Sequence, residues 1–213
     1  NLGTIKMQNN QLKQLIDTSS RIILKVGSSL LINENNNDIN YHWLKNFSKE
    51  IQSLTDKKKQ IMIVSSGSVA LGRKQLNLVK NLSLDEKQAA AAVGQIHLSH
   101  AWKEVLKSFN LESAQILLAP DDTETRRKHL NARATLLKLL QLNVIPVINE
   151  NDTVSTDEIK FGDNDRLAAR VAQMCEVDLL ILFSDVNGLF SEDPNKNKNS
   201  CLLYTSPSPR DGL

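Results

Sequence analysis

Five short apolar runs in this chain each end in a cluster of small, polar or acidic residues. The clusters are Gly27-Ser28-Ser29, Ser65-Ser66-Gly67, Ala119-Pro120-Asp121-Asp122, Asn149-Glu150-Asn151-Asp152 and Ser184-Asp185-Val186-Asn187-Gly188. The runs lack polar alternation and are rich in β-branched residues, which is typical of strands buried on both faces. Longer helical patterns separate them, and this predicts a largely parallel sheet. Ligands bind at the carboxyl ends of such strands, where this chain places its glycines, serines and carboxylates.

The pattern predicts an α/β fold: a three-layer α/β/α sandwich with a mainly parallel central sheet. The predicted strands span about 21–26, 61–64, 114–118, 144–148 and 179–183. The predicted helices span about 41–56, 67–76, 84–109, 128–142 and 162–175. Ser83 and Glu86 have the spacing of a capping box at the start of the longest helix. We expect an Asn-rich loop at 33–40 and a hairpin or lid at 152–160.

Composition excludes several classes of protein. The chain has 213 residues, enough for one α/β domain, and a formal net charge of +2 without a basic block, so we expect no nucleic-acid partner. Its two cysteines have no metal-ligand spacing, which favours a reduced, cytoplasmic setting. No apolar stretch approaches the ~20 residues that cross a bilayer, so we expect no membrane association.

The two ends of the chain differ from its centre. Residues 1–19 are polar and weakly patterned, and we expect a mobile N-terminal extension. Residues 195–213 carry a Lys/Asn tract and then a Ser/Pro segment, which predicts a disordered tail. Within that tail, 201–213 resembles one reading frame of a sequencing-library adapter translated as protein. We expect this segment to be artefactual and the native chain to continue; a natural Ser/Pro tail is the alternative.

Lys25 stands near the end of the first predicted strand, two residues before Gly27. A lysine in a buried strand requires a partner for its ammonium, and phosphate oxygens at the strand end would serve. The alternative is a lysine whose stem extends past the sheet edge to solvent. Gly27-Ser28-Ser29 could offer backbone N–H groups to an anion. Gly67 and Gly72 have P-loop spacing, but Arg73-Lys74-Gln75 follows where Lys and then Ser or Thr are required, so we expect Gly72 to serve close packing.

Two dense polar clusters, at 149–152 and 162–165, are separated by only nine residues and can face one site. Their amides and carboxylates could orient an ammonium or a lysine, although turns and helix capping are the plainer explanation. His97 and His100 lack further ligands for a metal, so we expect no metal site there. Ala89 to Ala92, followed by Gly94, predicts a close helix contact with the sheet or a second subunit.

Together, these residues resemble the amino-acid kinase family, over about 21–194. The motifs that carry the resemblance are Lys25-Val26-Gly27-Ser28-Ser29, Val64-Ser65-Ser66-Gly67, Ala91-Ala92-Val93-Gly94-Gln95, Leu130-Asn131-Ala132-Arg133, Val144 to Asp152, Gly162-Asp163-Asn164-Asp165 and Ser184 to Leu189. The resemblance is strongest to members that use ATP to phosphorylate the side-chain carboxylate of L-glutamate, the first step of proline biosynthesis. It implies an amino-acid kinase-like fold over 20–194, incomplete at the C-terminus.

The resemblance also implies roles for particular residues. The implied catalytic residues are Lys25, Asp165 and Lys160. The implied glutamate-binding residues are Ser66, Asp152 and Asn164, with Asp152 facing the α-ammonium. The implied phosphate- and ATP-binding residues are Lys25, Gly27, Ser28, Ser184 and Asp185. The implied cofactors are ATP and a Mg²⁺ ion that the nucleotide phosphates mainly hold.

The chain also departs from the family pattern. Members continue with a Gly-Met-x-Thr-Lys-type motif whose lysine faces the phosphates, and many add a PUA domain; neither is present in this sequence. We therefore expect these 213 residues alone to have negligible kinase activity. Many members are inhibited by proline, and the full-length protein is expected to form a homo-oligomer. Two alternatives stay open: a related kinase acting on N-acetylglutamate, carbamate or aspartate, and a truncated, non-catalytic module that binds glutamate or proline.

Overall fold

A computed structural model describes residues 11–33, 38–79, 81–154 and 164–183, together with the backbone of 189–190 and 202–204. The chain divides into two units. Ser20–Phe183 forms one of them, and Asn1–Ser19 together with Ser184–Leu213 forms the other. No described helix is both long enough and apolar enough to cross a lipid bilayer.

The described elements follow the order that the sequence predicts, with several short additions. The strands are β1 (Arg21–Val26), β2 (Ile32–Asn33), β3 (Asp38–Ile39), β4 (Gln60–Ser65), β5 (Glu112–Leu118), β6 (Val144–Glu150), β7 (Leu179–Phe183), β8 (Leu189–Phe190) and β9 (Leu202–Tyr204). The helices are α1 (Ser28–Leu31), α2 (Tyr41–Asp56), α3 (Ser68–Gln75), α4 (Leu84–Lys107), α5 (Pro120–Glu124), α6 (Arg126–Gln141) and α7 (Asn164–Met174). Residues 11–18 are also helical.

The Ser20–Phe183 unit is built on a five-stranded sheet in the order β5-β6-β4-β1-β7. Every neighbouring pair in it is parallel, which confirms the predicted sheet. Lys25 is aligned with Val64 on one side and Leu182 on the other, so it lies in an interior strand. Because β6, β4 and β1 are consecutive in the sheet, the polar clusters that follow them meet at one edge.

Helices cover both faces of this sheet, as a three-layer sandwich requires. On one face, α6 and α7 pack against Ile23, Met62 and Ile148 through Leu136, Leu140, Leu167 and Val171. Ile22 and Leu24 are equally buried but alternate with Ile23, so they point to the opposite face. There α2 and α4 contact each other and the strands β4 and β5. The predicted fold class is confirmed.

Helices α3 and α4 cross at unusually short range, at Gly72 and Gly94. A Cβ built on Gly94 would lie 1.8 Å from the Ser68 carbonyl oxygen, and one on Gly72 would lie 1.7 Å from the Ala90 carbonyl oxygen. No side chain fits at either position, so glycine sets the distance between the two helices. The expectation of close packing at Gly72 is confirmed. The close contact predicted for the Ala89–Gly94 stretch exists at Gly94, where α3 is the partner.

The structure contains short elements that the sequence did not predict. The Asn-rich loop contributes the antiparallel pair β2–β3, and α1 and α5 are single helical turns after β1 and β5. Elements of two to five residues are too short to show a periodicity. Leu202–Tyr204 lies in the tail that the sequence predicts to be disordered, and it forms a strand that pairs antiparallel with Leu189–Phe190; tyrosine is enriched in strands. The hairpin or lid predicted at 152–160 lies mostly outside the described residues, from residue 155 onward; Asp152–Val154 forms a turn.

Candidate active site

The carboxyl ends of β1, β4 and β6 surround a polar cleft of about 420 Å³. Its walls also include the start of α3, the first turns of α4 and the first residue of α7. The described lining residues are Ser28, Ser66, Gly67, Ser68, Val69, Ala70, Arg73, Leu84, Lys87, Gln88, Asn149, Glu150, Asp152 and Asn164. The cleft therefore gathers residues from several of the predicted clusters, including Ser28, Ser66, Asp152 and Asn164.

Lys25 forms an ion pair beside this cleft. The residue is only 5% exposed, and its Nζ atom lies 2.6 Å from Oδ1 of Asp165. Asp165 stands on the first turn of α7, next to the cleft residue Asn164, and its side chain is 40% exposed. The Lys25 ammonium therefore contacts a carboxylate and does not extend past the sheet edge. The alternative prediction, a lysine whose stem reaches solvent, is wrong. A buried ammonium and a half-exposed carboxylate form a charge-assisted contact open to solvent on one side.

Gly27 shapes the space next to this ammonium. A Cβ at Gly27 would lie 3.9 Å from Nζ of Lys25 and 3.5 Å from the carbonyl oxygen of Phe183. The missing side chain therefore keeps the approach to the ammonium open. The Gly27 N–H donates to that same Phe183 carbonyl at 3.3 Å, so it is not a free donor, contrary to its expected role. Ser28 begins α1 and lies in the cleft wall.

The Asn164 side chain is buried and oriented by three acceptors. Its Nδ2 atom lies 3.0 Å from the Ser65 carbonyl oxygen, 2.8 Å from Ser66 Oγ and 2.8 Å from Asn149 Oδ1. A backbone carbonyl can only accept, so the amide nitrogen must be the atom that faces Ser65. The Oδ1 atom of Asn164 then points away from these three partners. Asn164 lines the cleft, and Oδ1 is the atom of its amide that makes none of these three contacts.

Asn149 is fixed in the same way by groups behind it. Its Oδ1 also accepts the N–H of Glu150 at 2.9 Å, which requires its Nδ2 to face Gln95 Oε1 at 2.8 Å and Ser68 Oγ at 3.3 Å. Gln95 belongs to α4, 54 residues away in sequence. Helix α4 therefore sets the orientation of Asn149, and Asn149 helps to set that of Asn164. Gln95 ends the Ala91–Gln95 motif of the family resemblance, but its residue type alone does not reveal its contact with Asn149.

A second α4 residue supports the strand end directly. Trp102 is 1% exposed, and its Nε1–H donates to Oγ of Ser65 at 2.9 Å inside the core. Phe47 from α2 packs edge-on against the Trp102 ring, with centroids 6.2 Å apart. This contact holds the β4 end, whose next residue is the cleft serine Ser66. Sequence periodicity identifies Trp102 as a core residue but not its hydrogen-bond partner.

The remaining candidates either make contacts that support the fold or lie outside the described residues. Lys160, Ser184 and Asp185 lie outside the described residues, so their roles stay predictions. Arg133, from the Leu130–Arg133 motif, ties α6 to the end of α7 through the Met174 carbonyl at 2.8 Å and Glu176 at 2.7 Å. Among the described residues, no group of three or more His, Cys, Asp and Glu could hold a metal ion.

Comparison with known proteins agrees with this architecture. The sequence profile of the Amino acid kinase family matches residues 20–206. The chain belongs to this family. A glutamate 5-kinase of Paramagnetospirillum magneticum is 51% identical over 185 residues, covering 87% of this chain and 50% of that protein. A glutamate 5-kinase of Caulobacter vibrioides is 53% identical over 182 residues, covering 85% and 48%. The chain thus spans about half the length of the curated relatives it matches.

Solved structures of the amino acid kinase fold are also similar to this chain. The isopentenyl phosphate kinase of T. acidophilum, in a product complex, superposes with a TM-score of 0.57 at 16% identity, covering 86% of this chain and 78% of that one. The UMP kinase of Bacillus anthracis gives a TM-score of 0.54 at 20% identity, covering 86% and 72%. At these identities the likeness concerns the fold alone.

Proposed function

We propose that the protein containing this chain uses ATP to phosphorylate the side-chain carboxylate of L-glutamate, giving L-glutamate 5-phosphate and ADP. The observation that carries the proposal is the buried Lys25 ammonium, paired with Asp165, beside a cleft lined by Ser66, Asp152 and Asn164. The names of the relatives at about 50% identity support the same reaction.

The cleft provides a place for the α-ammonium of glutamate. Asp152 would supply a carboxylate. Asn164 would supply its Oδ1 atom as an acceptor, because Nδ2 makes all three of the contacts with the protein. Ser68 Oγ donates to Asp152 Oδ2 at 3.4 Å and so helps to place that carboxylate. Acceptors and negative charge favour a free ammonium over an acetylated nitrogen, which carries no charge. This supports glutamate over N-acetylglutamate as the substrate.

Lys25 would act at the opposite end of the substrate, where the transfer takes place. Its buried ammonium would stabilise negative charge on the phosphoryl group and on the attacking carboxylate, and Asp165 would hold it in position. A preorganised charge inside a partly buried site is worth more than the same charge in water. Positioning and charge neutralisation account for most of the catalysis of phosphoryl transfer.

The residues at this end fit a nucleotide phosphate. The space that a Gly27 side chain would fill, next to a buried ammonium, is the kind of cradle in which a phosphate oxygen finds a partner. Lys25 and Ser28 would contact the phosphates, Gly27 would leave room for them, and Lys160, Ser184 and Asp185 are proposed to complete the site. Mg²⁺ bound to the phosphates would supply additional positive charge. Inhibition by proline, assembly into a homo-oligomer and a cytoplasmic location stay predictions.

The test is an ADP-release or hydroxamate assay with glutamate, aspartate and N-acetylglutamate. It should use the protein encoded by the complete source reading frame. We expect a clear preference for glutamate, and a preference for N-acetylglutamate would contradict the proposal. Asp152→Ala should raise the KM for glutamate strongly, because it removes a ground-state partner of the ammonium. An unchanged KM would make Asp152 a structural residue.

Lys25→Met tests the role of the Lys25 ammonium in catalysis. Lys128, which forms a similar ion pair at the surface, provides the matched control. Lys128 also lies 2.6 Å from a carboxylate, that of Asp121, but both side chains are more than half exposed. We expect Lys25→Met to lower kcat on the order of 10²-fold or more, and Lys128→Met to leave it unchanged. Equal effects of the two substitutions would refute a specific role for Lys25.

A further inference from the structure

Two cationic side chains also line the cleft that would bind glutamate, and neither belongs to the motifs that carry the family resemblance. Arg73 comes from the last turn of α3, and Lys87 from the first turns of α4. Within the described lining, the other charged residues are Glu150 and Asp152, at the end of β6 and just after it. Cations and carboxylates thus come from different elements. A cleft with both signs of charge suits a ligand that also carries both.

These two cations differ from their neighbours in having no ion-pair partner in the described part of the chain. Lys74, next to Arg73, lies 2.5 Å from the carboxylate of Asp38. Neither Arg73 nor Lys87 forms such a pair with any described residue. Arg73 is half-buried, and no described carboxylate forms an ion pair with its guanidinium. An anionic ligand in the cleft would supply the missing partner.

Glutamate has one anionic group that the proposed function does not yet place. Its side-chain carboxylate must lie near Lys25 to receive the phosphoryl group, and its ammonium faces Asp152 and Asn164. Its α-carboxylate then needs a cation inside the same cleft, at a distance from Lys25. Arginine is suited to this task, because its guanidinium binds a carboxylate through two parallel hydrogen bonds.

We propose that Arg73, assisted by Lys87, binds the α-carboxylate of the substrate and so selects an α-amino acid. This inference rests on the proposed function, since it assigns the third charged group of the same substrate. Lys87 is exposed and would contribute less than Arg73, because a solvated ammonium gains less from a new partner.

The test compares glutamate with isoglutamine, whose α-carboxylate is replaced by a neutral amide. Binding is measured by calorimetry, or by competition against glutamate where direct titration is too weak, on the complete protein. We expect Arg73→Gln to weaken glutamate binding about 30-fold, as the loss of a charge-assisted contact would. Isoglutamine binding should weaken less than about threefold, because the group that Arg73 contacts is absent from it. Arg73→Lys should retain part of the affinity for glutamate.

Lys74→Gln is the control, since it removes the adjacent cation that already has a partner; it should leave both affinities unchanged. Equal weakening of both ligands by Arg73→Gln would show that Arg73 only supports the fold and would overturn the inference. A change confined to the KM for ATP would also overturn it, by placing Arg73 at the nucleotide. If the wild-type protein fails to phosphorylate glutamate at all, the proposed function fails first. The two failures are therefore distinguishable.

Discussion

Replacing Gly94 by alanine sets two opposing effects against each other. Alanine in the interior of a helix is favoured over glycine by roughly 1 kcal/mol, so propensity alone predicts a more stable protein. The added Cβ, however, would lie 1.8 Å from the Ser68 carbonyl oxygen and 2.6 Å from the Gly72 nitrogen. Relieving the first contact alone requires α3 and α4 to separate by more than about 1 Å, since Cβ atoms essentially never come closer than 3.0 Å.

The clash should outweigh the propensity. Both atoms belong to the backbone, so no side-chain rotation can relieve it, and overpacking of this kind costs up to roughly 3 kcal/mol. The net destabilisation is then about 2 kcal/mol, which lowers the Tm of a domain of this size by roughly 4–8 °C. The movement would also shift Ser68, whose Oγ lies 3.3 Å from Asn149 Nδ2. We therefore expect glutamate binding to weaken together with stability.

Thermal and urea unfolding of Gly94→Ala and three further variants would check this reasoning. Ala92→Gly, at an exposed position of the same helix, measures the propensity alone and should cost roughly 1 kcal/mol. Gly72→Ala approaches the same contact from α3 and should be as destabilising as Gly94→Ala. The double variant should cost less than the sum, because one separation relieves both clashes. A Gly94→Ala protein at least as stable as wild type would refute the argument.

Three further predictions concern single polar contacts. Asn164→Asp should destabilise by on the order of 3 kcal/mol, more than Asn164→Ala, because a carboxylate cannot donate to the Ser65 carbonyl or to Asn149 Oδ1; calorimetry of both variants checks the order. Trp102→Phe should cost about 1–2 kcal/mol in urea unfolding, since it removes the donor to Ser65 Oγ. Hydrogen bonds from the backbone N–H groups of Arg21 and Ser20 lower the pKa of Asp178. Asp178→Asn should therefore be less stable than wild type at pH 7. This difference in stability should vanish as the pH falls through the native pKa of Asp178.

Much of the fold could be predicted from the sequence, because each long element carries its own signal. The five sheet strands and the longer helices lie within a few residues of their predicted bounds; α2, for example, is Tyr41–Asp56 as expected. The strand order could not be predicted, because parallel strands joined by helices leave the order of neighbours to tertiary packing. The short pair β2–β3 was missed because two-residue strands have no periodicity to detect.

The site residues predicted from the sequence follow strands or begin helix α7, whereas the supporting residues inside α4 were missed. Lys25, Asp152 and Asn164 belong to motifs of the family resemblance, which assigned them roles although turns and helix capping also explain the two polar clusters. Gln95 and Trp102 occupy interior positions of α4, where a glutamine suits solvent and a tryptophan suits the core. Their roles depend on which groups the fold brings opposite them, and no local pattern records that.

Helix α4 nevertheless positions many of the groups that line the proposed glutamate end of the cleft. Gly94 sets the distance of α3, the next residue Gln95 orients Asn149, and Trp102, two turns later, holds Ser65. These contacts act on the amides and hydroxyls of the cleft, whereas Lys25 receives its carboxylate from α7, which packs on the opposite face of the sheet. Changes along α4 should therefore alter glutamate affinity more than the rate of phosphoryl transfer. Because Asn164 and Asp165 are neighbours on α7, that helix contributes to both ends of the proposed substrate, whereas α4 supports only the glutamate end.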